Sequence, residues 1–327
     1  MPNSTTATAF WITDKQRGEI RSAELPELLR DQVRIQTLYS GVSLGTEALV
    51  FNHAVPSSEF QRMRAPFQEG EFPSPVKYGY INVGKVLEGP HDLCGQNVFC
   101  LYPHQTHYIV PSDSVTLIPL DVPAERAILA ANLETAINAL WDASAHIGDK
   151  ISIVGAGVIG CLVGWLANSI PGCDVELIDI NPERASVCDA LGLTFSLPHQ
   201  ARGQRDLLIH TSATQEGLNT ALQLAGFEAT ILELSWYGDK PVSVELGGSF
   251  HSRRLQLRSS QVGQIATAQR SRWDYKRRLK LALSLLNDER LDNLITGESS
   301  FSELPSTFQY LMKNGRDSLC HRIKYDV

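Results

Sequence analysis

The sequence has few cysteines and no pattern that pairs them. Its 327 residues include six cysteines, at positions 94, 100, 161, 173, 188 and 320, and no C-x-x-C motif. A disulfide framework or a zinc knuckle needs closely and regularly spaced cysteines. The cysteines are therefore expected to be reduced and mostly buried thiols of a cytoplasmic protein.

The chain also lacks a long apolar run, an excess of positive charge and an N-terminal targeting pattern. It has no stretch of about 18 apolar residues that could span a bilayer. Its opening, MPNSTTATAF, has neither the basic nor the apolar segment of a signal peptide. The net charge of −7 argues against general nucleic-acid binding. These absences predict a soluble protein with no membrane or nucleic-acid partner.

Hydrophobic patterning divides the chain into a β-rich beginning and an α/β middle. Residues 9–120 carry short strand-like segments separated by Gly, Pro, Asn and Asp. From residue 150 onward, strand and helix patterns alternate, which is typical of a parallel sheet with helices on both faces. A shorter α+β tail follows and is expected to pack back on the β-rich part. The predicted domains are 1–125 with 266–327, and 126–265.

The strongest motif is the glycine-rich turn in KISIVGAGVIGCLVGWLA. Gly155, Gly157 and Gly160 form G-x-G-x-x-G between a buried-type strand and an apolar helix. Such glycines let the backbone turn tightly and approach a pyrophosphate, which rests at the positive helix N-terminus. Asp179, at the end of the next strand-like segment, can accept hydrogen bonds from an unmodified ribose. A 2′-phosphate would meet its negative charge, so NAD(H) is favoured over NADP(H).

Other candidate cofactor contacts surround this turn. Arg184 could lie beside the adenine, accommodate a 2′-phosphate, or simply be an exposed helix residue. Ser212 and Thr214, in HTSAT, could face the nicotinamide half or form a plain strand-end turn. The predicted cofactor-binding residues are Gly155, Ala156, Gly157, Val158, Ile159, Gly160, Asp179, Ile180, Arg184, Ser212 and Thr214.

With these pieces in order, the sequence resembles the medium-chain dehydrogenase/reductase superfamily over nearly its full length. The matching segments are YSGVSLGTE, KYGYINVG, NVFCLYPHQTHYIVP, LAANLETAINAL, the GAGVIG turn with LIDINPER, and RLDNLITGESSFSEL. SGVSLGTE is also similar to a subgroup that contains the bacteriochlorophyllide hydroxyethyl dehydrogenases. The resemblance implies an α/β fold in which a Rossmann doubly wound parallel sheet accompanies a β-rich, GroES-like catalytic barrel domain. It also implies a homodimer formed by pairing Rossmann sheet edges, with LQLRSSQVGQI as the candidate segment.

The sequence departs from this family where zinc-dependent members hold their catalytic metal. Those members place a cysteine, a histidine and a cysteine or glutamate where this sequence has Ser43, Tyr80 and Glu134. A serine hydroxyl and a phenol are poor zinc ligands compared with thiolate and imidazole. No catalytic zinc is therefore expected. An unorthodox site built from His104, His107 and Glu134 is the alternative.

Without zinc, protein donors must stabilise the substrate oxygen on which charge develops. The resemblance places Thr46 near the family's substrate-contacting hydroxyl, and Tyr80 would donate into the same pocket or only fill space there. Lys77 could lower the pKa of that phenol or meet an anionic substrate, and His104 could act as a general acid. Glu134 could be a relic, a proton acceptor or a partner of Lys77. The predicted catalytic residues are Ser43, Thr46, Lys77, Tyr80, His104 and Glu134.

The sequence thus favours an NAD(H)-dependent oxidoreductase that interconverts a secondary alcohol and a carbonyl on a small or medium-sized substrate without zinc. Two other hypotheses stay open. One is an NAD(P)H-dependent reductase of enoyl or quinone type. The other is an NAD(H)-binding sensor or scaffold whose catalytic site has decayed.

Overall fold

The computed structural model describes residues 6–315 and 318–326. Within that part of the chain, the strands are β1 (Thr6–Asp14), β2 (Arg17–Glu24), β3 (Gln32–Ser43), β4 (Glu69–Gly70), β5 (Val76–Lys77), β6 (Asn82–Glu88), β7 (Asn97–Cys100), β8 (His107–Pro111), β9 (Thr116–Leu117), β10 (Lys150–Val154), β11 (Asp174–Ile178), β12 (Thr194–Ser196), β13 (Arg205–His210), β14 (Ala225–Glu233), β15 (Gln256–Ser259), β16 (Ile295–Ser300) and β17 (Cys320–Lys324).

The α-helices are α1 (Leu44–Phe51), α2 (Ala130–Ala143), α3 (Val158–Asn168), α4 (Arg184–Ala190), α5 (Gln215–Leu224), α6 (Tyr275–Leu285) and α7 (Leu304–Asn314). Short 3₁₀ turns cover Ser57–Glu59, Ser112–Ser114, Ala127–Leu129, Pro198–Gln200, Glu289–Leu294 and Phe301–Glu303, and a π-helical turn covers Leu246–Phe250. No helix of the described residues is both long and apolar enough to cross a bilayer.

The chain forms two compact units. One runs to Ala131 and resumes at Leu279, and the other spans Asn132–Arg278. Both boundaries fall later than those predicted from the sequence. The boundary at Ala131 is later because the turn before α2 packs on β3 and β6 of the first unit. The boundary at Arg278 is later because this residue is hydrogen-bonded to residues of the second unit.

The second unit is built on a six-stranded, all-parallel sheet with the order β12-β11-β10-β13-β14-β15. Its central strands are mostly apolar because the middle of a parallel sheet is covered on both faces, and four of the five residues of β10 are buried. Helix α3 packs closely on β11, since a β-carbon on Gly164 would lie 2.4 Å from Leu177 Cδ1. The strand order changes direction between β10 and β13, which is where doubly wound sheets bind ligands.

The first unit consists of antiparallel sheets with one parallel exception. Strand β3 is its centre and pairs with β6, β8 and β17. A smaller sheet has the order β2-β1-β5-β4. The tail returns to this unit, because β17 pairs with β3 and the Phe308 ring of α7 lies 4.7 Å from the ring of Phe10. The α/β fold class, with a Rossmann sheet beside a β-rich GroES-like unit, is confirmed.

Candidate active site

Three of the predicted catalytic side chains lie together in the first unit. Strand β3 ends at Ser43, and helix α1 carries Thr46 in its first turn. Tyr80 is half-buried between β5 and β6, and the side chains of Ser43 and Thr46 lie close enough to its phenol to act on its pKa. We call Ser43, Thr46 and Tyr80 the hydroxyl cluster.

A glycine makes room for the turn that presents Tyr80. Gly79 has φ of +142°, a backbone conformation that favours glycine. A β-carbon at this position would lie 3.1 Å from Cδ2 of His104. The chain can therefore pass close to the histidine and carry the next residue, Tyr80, to the hydroxyls of α1.

The environment of Tyr80 keeps its phenol protonated. Burial raises the pKa of Tyr80 to about 12, and the negative charge of Glu47 adds to the rise. The hydrogen bonds to Ser43 and Thr46 oppose it. Because a phenol with this pKa is neutral at pH 7, Tyr80 is a hydrogen-bond donor there and not a base.

A chain of buried polar groups lies behind the hydroxyl cluster. Glu47 accepts a hydrogen bond from the Ser43 backbone N–H at 2.5 Å and lies 2.8 Å from His104 Nε2. His104 Nδ1 lies 2.7 Å from Ser40 Oγ, which lies 3.0 Å from the Tyr325 hydroxyl. Both ring nitrogens of His104 are engaged, by Glu47 and Ser40. His104 thus holds the position of Glu47, and its role as a general acid stays a prediction.

Glu47 is the residue that the sequence interpretation missed. It directly follows Thr46 in SLGTE, so a signal was present in the chain. Its partner His104 is 57 residues away, however, and only the folded chain brings the two together. A glutamate in the first turn of a helix is also an ordinary helix-capping residue. The sequence pattern by itself therefore predicts only a capping role for Glu47.

Lys77 is committed to partners other than Tyr80. Its buried ammonium is bonded to Glu69 and lies 2.7 Å from Gln105 Oε1. Burial lowers the pKa of Lys77, and the hydrogen bond and charge of Glu69 oppose that shift. Glu69 offsets the lysine charge, and the causes that set the pKa of Tyr80 are burial, Glu47, Ser43, Thr46 and Cys320. An effect of Lys77 on that phenol stays a prediction.

Glu134 belongs to the second unit and is also paired. Its carboxylate accepts a hydrogen bond from Arg278 Nε at 2.9 Å, and both side chains are buried. Arg278 also donates to Asn138 Oδ1 and to the Val262 carbonyl oxygen, each at 2.6 Å. Burial raises the pKa of Glu134, and the charge and hydrogen bond of Arg278 oppose the rise. Arg278 is thus the partner of this carboxylate within the second unit, and the suggested pair of Glu134 with Lys77 stays a prediction.

The chemistry of the hydroxyl cluster does not suit a zinc ion. Zinc sites use thiolate, imidazole or carboxylate ligands, whereas the cluster offers two alcohols and a protonated phenol. The thiol of nearby Cys320 is buried, which raises its pKa to about 12. Within the described part of the chain, no three His, Cys, Asp or Glu side chains are grouped so as to hold a metal ion. His104 and Glu134 of the alternative set are each paired with another side chain, Glu47 and Arg278, and the set itself stays a prediction.

The glycine turn of the second unit has the form that suits a pyrophosphate. Gly155 has φ of +112°, and a β-carbon on Gly160 would lie 1.9 Å from the Gly155 carbonyl oxygen. Only glycine at position 160 therefore allows the first turn of α3 to come this close to the Gly155 carbonyl group. Gly157 is exposed, and a β-carbon there would meet no atom within 4 Å. The first N–H groups of α3, including those of Val158 and Ile159, have no acceptor within the helix and suit an anion.

Asp179 lies at the edge of this turn. Its carboxylate accepts hydrogen bonds from the N–H of Ala156 at 2.7 Å and from the N–H of Asn181 at 2.9 Å. The next residue, Ile180, is 82% exposed. These bonds hold the Asp179 carboxylate beside the glycine turn, where a ribose hydroxyl could donate to it.

The remaining predicted cofactor residues have different surroundings. Arg184 is buried at the start of α4, so it is not an exposed helix residue. The hydroxyl of Thr214 caps α5 by accepting from the Gly217 N–H at 3.1 Å. Ser212 Oγ lies 2.7 Å from His210 Nε2. Thr211, which the sequence interpretation did not include, donates to the Gly155 carbonyl oxygen at 2.8 Å and so braces the turn.

Comparison with known proteins identifies dehydrogenases. No protein-family model matches the chain. It is 22% identical over 325 residues to D-guloside 3-dehydrogenase of Escherichia coli, which covers 89% of this chain and 92% of that protein. It is 28% identical over 117 residues to L-threonine 3-dehydrogenase of Mesorhizobium japonicum, covering 36% and 33% of the two chains.

Solved structures share the fold. L-idonate 5-dehydrogenase from E. coli superimposes with a TM-score of 0.80 at 14% identity, covering 98% of each chain. An alcohol dehydrogenase from E. coli in complex with NADH gives 0.78 at 14% identity, covering 98% of this chain and 100% of that one. A zinc-binding dehydrogenase from Sinorhizobium meliloti bound to NADP gives 0.77 at 15% identity, with the same coverage.

These likenesses and the two-unit architecture agree on the fold. It is that of a medium-chain dehydrogenase/reductase, a Rossmann unit with a GroES-like unit, and the resemblance carried by the sequence motifs is confirmed. In this chain an intact glycine turn accompanies a cluster of three hydroxyls, two of which, Ser43 and Tyr80, stand at positions that the resemblance matches to metal ligands.

Proposed function

We propose that this protein is an NAD(H)-dependent oxidoreductase that interconverts a secondary alcohol and a ketone, with the hydroxyl cluster in place of a catalytic zinc. The observation that carries the proposal is the convergence of Tyr80, Ser43 and Thr46 beside a buried carboxylate. The D-guloside 3-dehydrogenase that spans most of the chain supports a hydroxyl-rich, sugar-like substrate.

The glycine turn and Asp179 would hold the dinucleotide. The free N–H groups at the start of α3 would bind the pyrophosphate, and Asp179 would accept from the adenosine ribose. When bound, the nicotinamide supplies the hydride acceptor or donor. Because solved neighbours carry NADH or NADP, the preference for NAD(H) depends on the negative charge of Asp179, which would repel a 2′-phosphate.

The hydroxyl cluster would act on the substrate oxygen. Tyr80 remains protonated at neutral pH, so its phenol can donate to the oxygen on which negative charge develops. Ser43 and Thr46 orient this phenol through their hydrogen bonds. Glu47 holds the start of α1 through the Ser43 N–H, and His104 holds Glu47 in turn. The cluster is therefore preorganised, which is the condition for such donors to lower a barrier.

Tyr80→Phe tests this proposal because it removes only the donating hydroxyl. We expect reduction of a sugar ketone with NADH to slow about 100-fold, while NADH affinity, measured by fluorescence titration, is unchanged. Tyr310→Phe, at an exposed tyrosine of α7, is the matched control and should behave as the unmodified protein.

Each other outcome has a clear meaning. Unchanged turnover in Tyr80→Phe would contradict the role of the phenol. NADH binding without turnover of any alcohol, ketone or conjugated enone would favour a sensor or scaffold. Reduction of the enone alone would favour the enoyl or quinone reductase alternative.

A further inference from the structure

A second polar cluster lies at the carboxyl ends of two neighbouring strands in the second unit. His210 ends β13 and Glu233 ends β14, and the two residues are paired in register across the parallel ladder. His210 Nδ1 lies 2.9 and 2.7 Å from the two carboxylate oxygens of Glu233. His210 Nε2 lies 2.7 Å from Ser212 Oγ. Serine, histidine and glutamate are thus connected in the order of a nucleophilic triad.

The hydrogen bonds of this cluster run consistently in one direction. The Gly217 N–H donates to Thr214 Oγ1, which lies 2.9 Å from Ser212 Oγ. The Thr214 hydroxyl can therefore donate to Ser212, Ser212 to His210 Nε2, and His210 Nδ1–H to Glu233. This arrangement places the basic nitrogen of the imidazole on the serine proton, as nucleophile activation requires.

The carboxylate of the cluster is held as an acceptor. Glu233 accepts from the Ser235 N–H at 2.7 Å and from the Tyr237 hydroxyl at 2.9 Å. Burial works to raise the pKa of Glu233, but the hydrogen bonds and charge of His210 and the bonds from Ser235 outweigh it, so the pKa is lowered. An ionised Glu233 fixes the His210 tautomer and stabilises the imidazolium that forms when the serine proton moves.

The serine is the accessible end of the cluster. The His210 side chain is fully buried, whereas Ser212 is half-buried and is followed by exposed Ala213. Helix α5 approaches it closely, because a β-carbon on Gly217 would lie 2.2 Å from Ser212 Oγ and 2.7 Å from His210 Nε2. The positive end of α5 begins just beyond Ser212 and favours negative charge on its oxygen.

We propose that Ser212 is an activated nucleophile that hydrolyses small carboxylic esters. Ser212 Oγ attacks the ester carbonyl carbon while its proton passes to His210 Nε2. The bond to the alcohol then breaks, and His210 returns the proton to the departing alkoxide. Water, deprotonated by the same nitrogen, then bonds to the acyl carbon. The bond from that carbon to Ser212 Oγ breaks, the acid leaves, and His210 returns the proton to Ser212. The reaction needs no oxidant, reductant or dinucleotide, and it does not depend on the proposed dehydrogenase activity.

The test uses the full chain without NAD(H). A fluorophosphonate probe, which reacts with activated serines, is added, and the adduct is located by peptide mass spectrometry. Hydrolysis of p-nitrophenyl acetate is followed in parallel. We expect labelling at Ser212, and a loss of about 100-fold in labelling and hydrolysis rate in His210→Gln. Ser252→Ala is the control, because this exposed serine donates to the Gly248 carbonyl oxygen instead, and it should leave both rates unchanged.

The mapping in the unmodified protein decides the proposal even if His210→Gln fails to fold. Labelling of Ser212 no faster than of Ser252 would overturn it, and so would ester hydrolysis that persists in Ser212→Ala. Since no dinucleotide is present, failure here would leave the dehydrogenase proposal untouched.

Discussion

At the level of single residues, the proposed chemistry depends on Tyr80 keeping its phenol proton. Tyr80 is surrounded by Ser43, Thr46 and the charge of Glu47, and its burial raises its pKa to about 12. A tyrosine that acts as a base needs the opposite shift. The cluster is therefore suited to donating a hydrogen bond to the substrate oxygen. A zinc ion would otherwise polarise that oxygen as a Lewis acid.

The pH dependence of turnover follows from this shift. Because the pKa of Tyr80 lies near 12 instead of its ordinary value of 10, the donor stays protonated through pH 10. Ketone reduction with saturating NADH should therefore show no fall in kcat from loss of this proton between pH 8 and 10.5. A decline in kcat centred on pH 10 that disappears in Tyr80→Phe would contradict the assignment.

At the element scale, the carboxyl ends of the parallel strands collect the chemistry of the second unit. Strands β10, β11, β13 and β14 end in register at Val154, Ile178, His210 and Glu233. The segments that follow carry the glycine turn, Asp179 and Ser212. The alternation of strand and helix patterns in the sequence predicts that these residues lie at this edge of the sheet.

The sequence predicted local features well and side-chain partners poorly. The turn after β10 and the position of Asp179 follow from spacing within one strand-turn-helix unit. The partners of Lys77, His104 and Glu134 did not follow, because Glu69, Glu47 and Arg278 reach them through sheet pairing and helix packing. Such contacts leave no periodic signal in the chain.

Helices α2 and α6 are joined by the buried Glu134–Arg278 pair. Arg278→Gln would leave the Glu134 carboxylate buried without its counter-charge and should lower the free energy of unfolding by about 3 kcal/mol at neutral pH. Burial already raises the pKa of Glu134 above its ordinary value, and losing Arg278 would raise it further. The variant's deficit should therefore shrink as pH falls and Glu134 takes up a proton.

Urea unfolding at pH 5 and pH 8 measures this effect. Arg277→Gln is the control, since the exposed Arg277 guanidinium stacks 3.9 Å from the Trp273 ring centre and should contribute about 1 kcal/mol or less. A deficit in Arg278→Gln that is the same at both pH values would argue against an unpaired buried carboxylate.

At the scale of the whole molecule, the Rossmann sheet has an exposed edge. Strand β15 is its last strand, pairs only with β14 among the described residues, and has four exposed residues, including Leu257. Exposed strand edges tend to pair with another chain. The homodimer expected from the sequence remains a prediction, and β15 is the edge on which it depends.

Sedimentation velocity over a range of concentrations tests the dimer. We expect the unmodified chain to sediment as a dimer and Leu257→Lys to shift toward monomer, because two like charges would meet at a symmetric edge. A monomer at every concentration of the unmodified chain would rule out this assembly.

If protein hydroxyls replace the metal, the active protein holds no zinc, and metal analysis of active protein shows whether it does. Zinc would be quantified before and after dialysis against a chelator, with NAD⁺-dependent oxidation of a sugar alcohol measured in the same samples. We expect far less than one zinc per chain and a turnover that dialysis does not change. One tightly held zinc per chain, whose removal abolishes turnover, would contradict it.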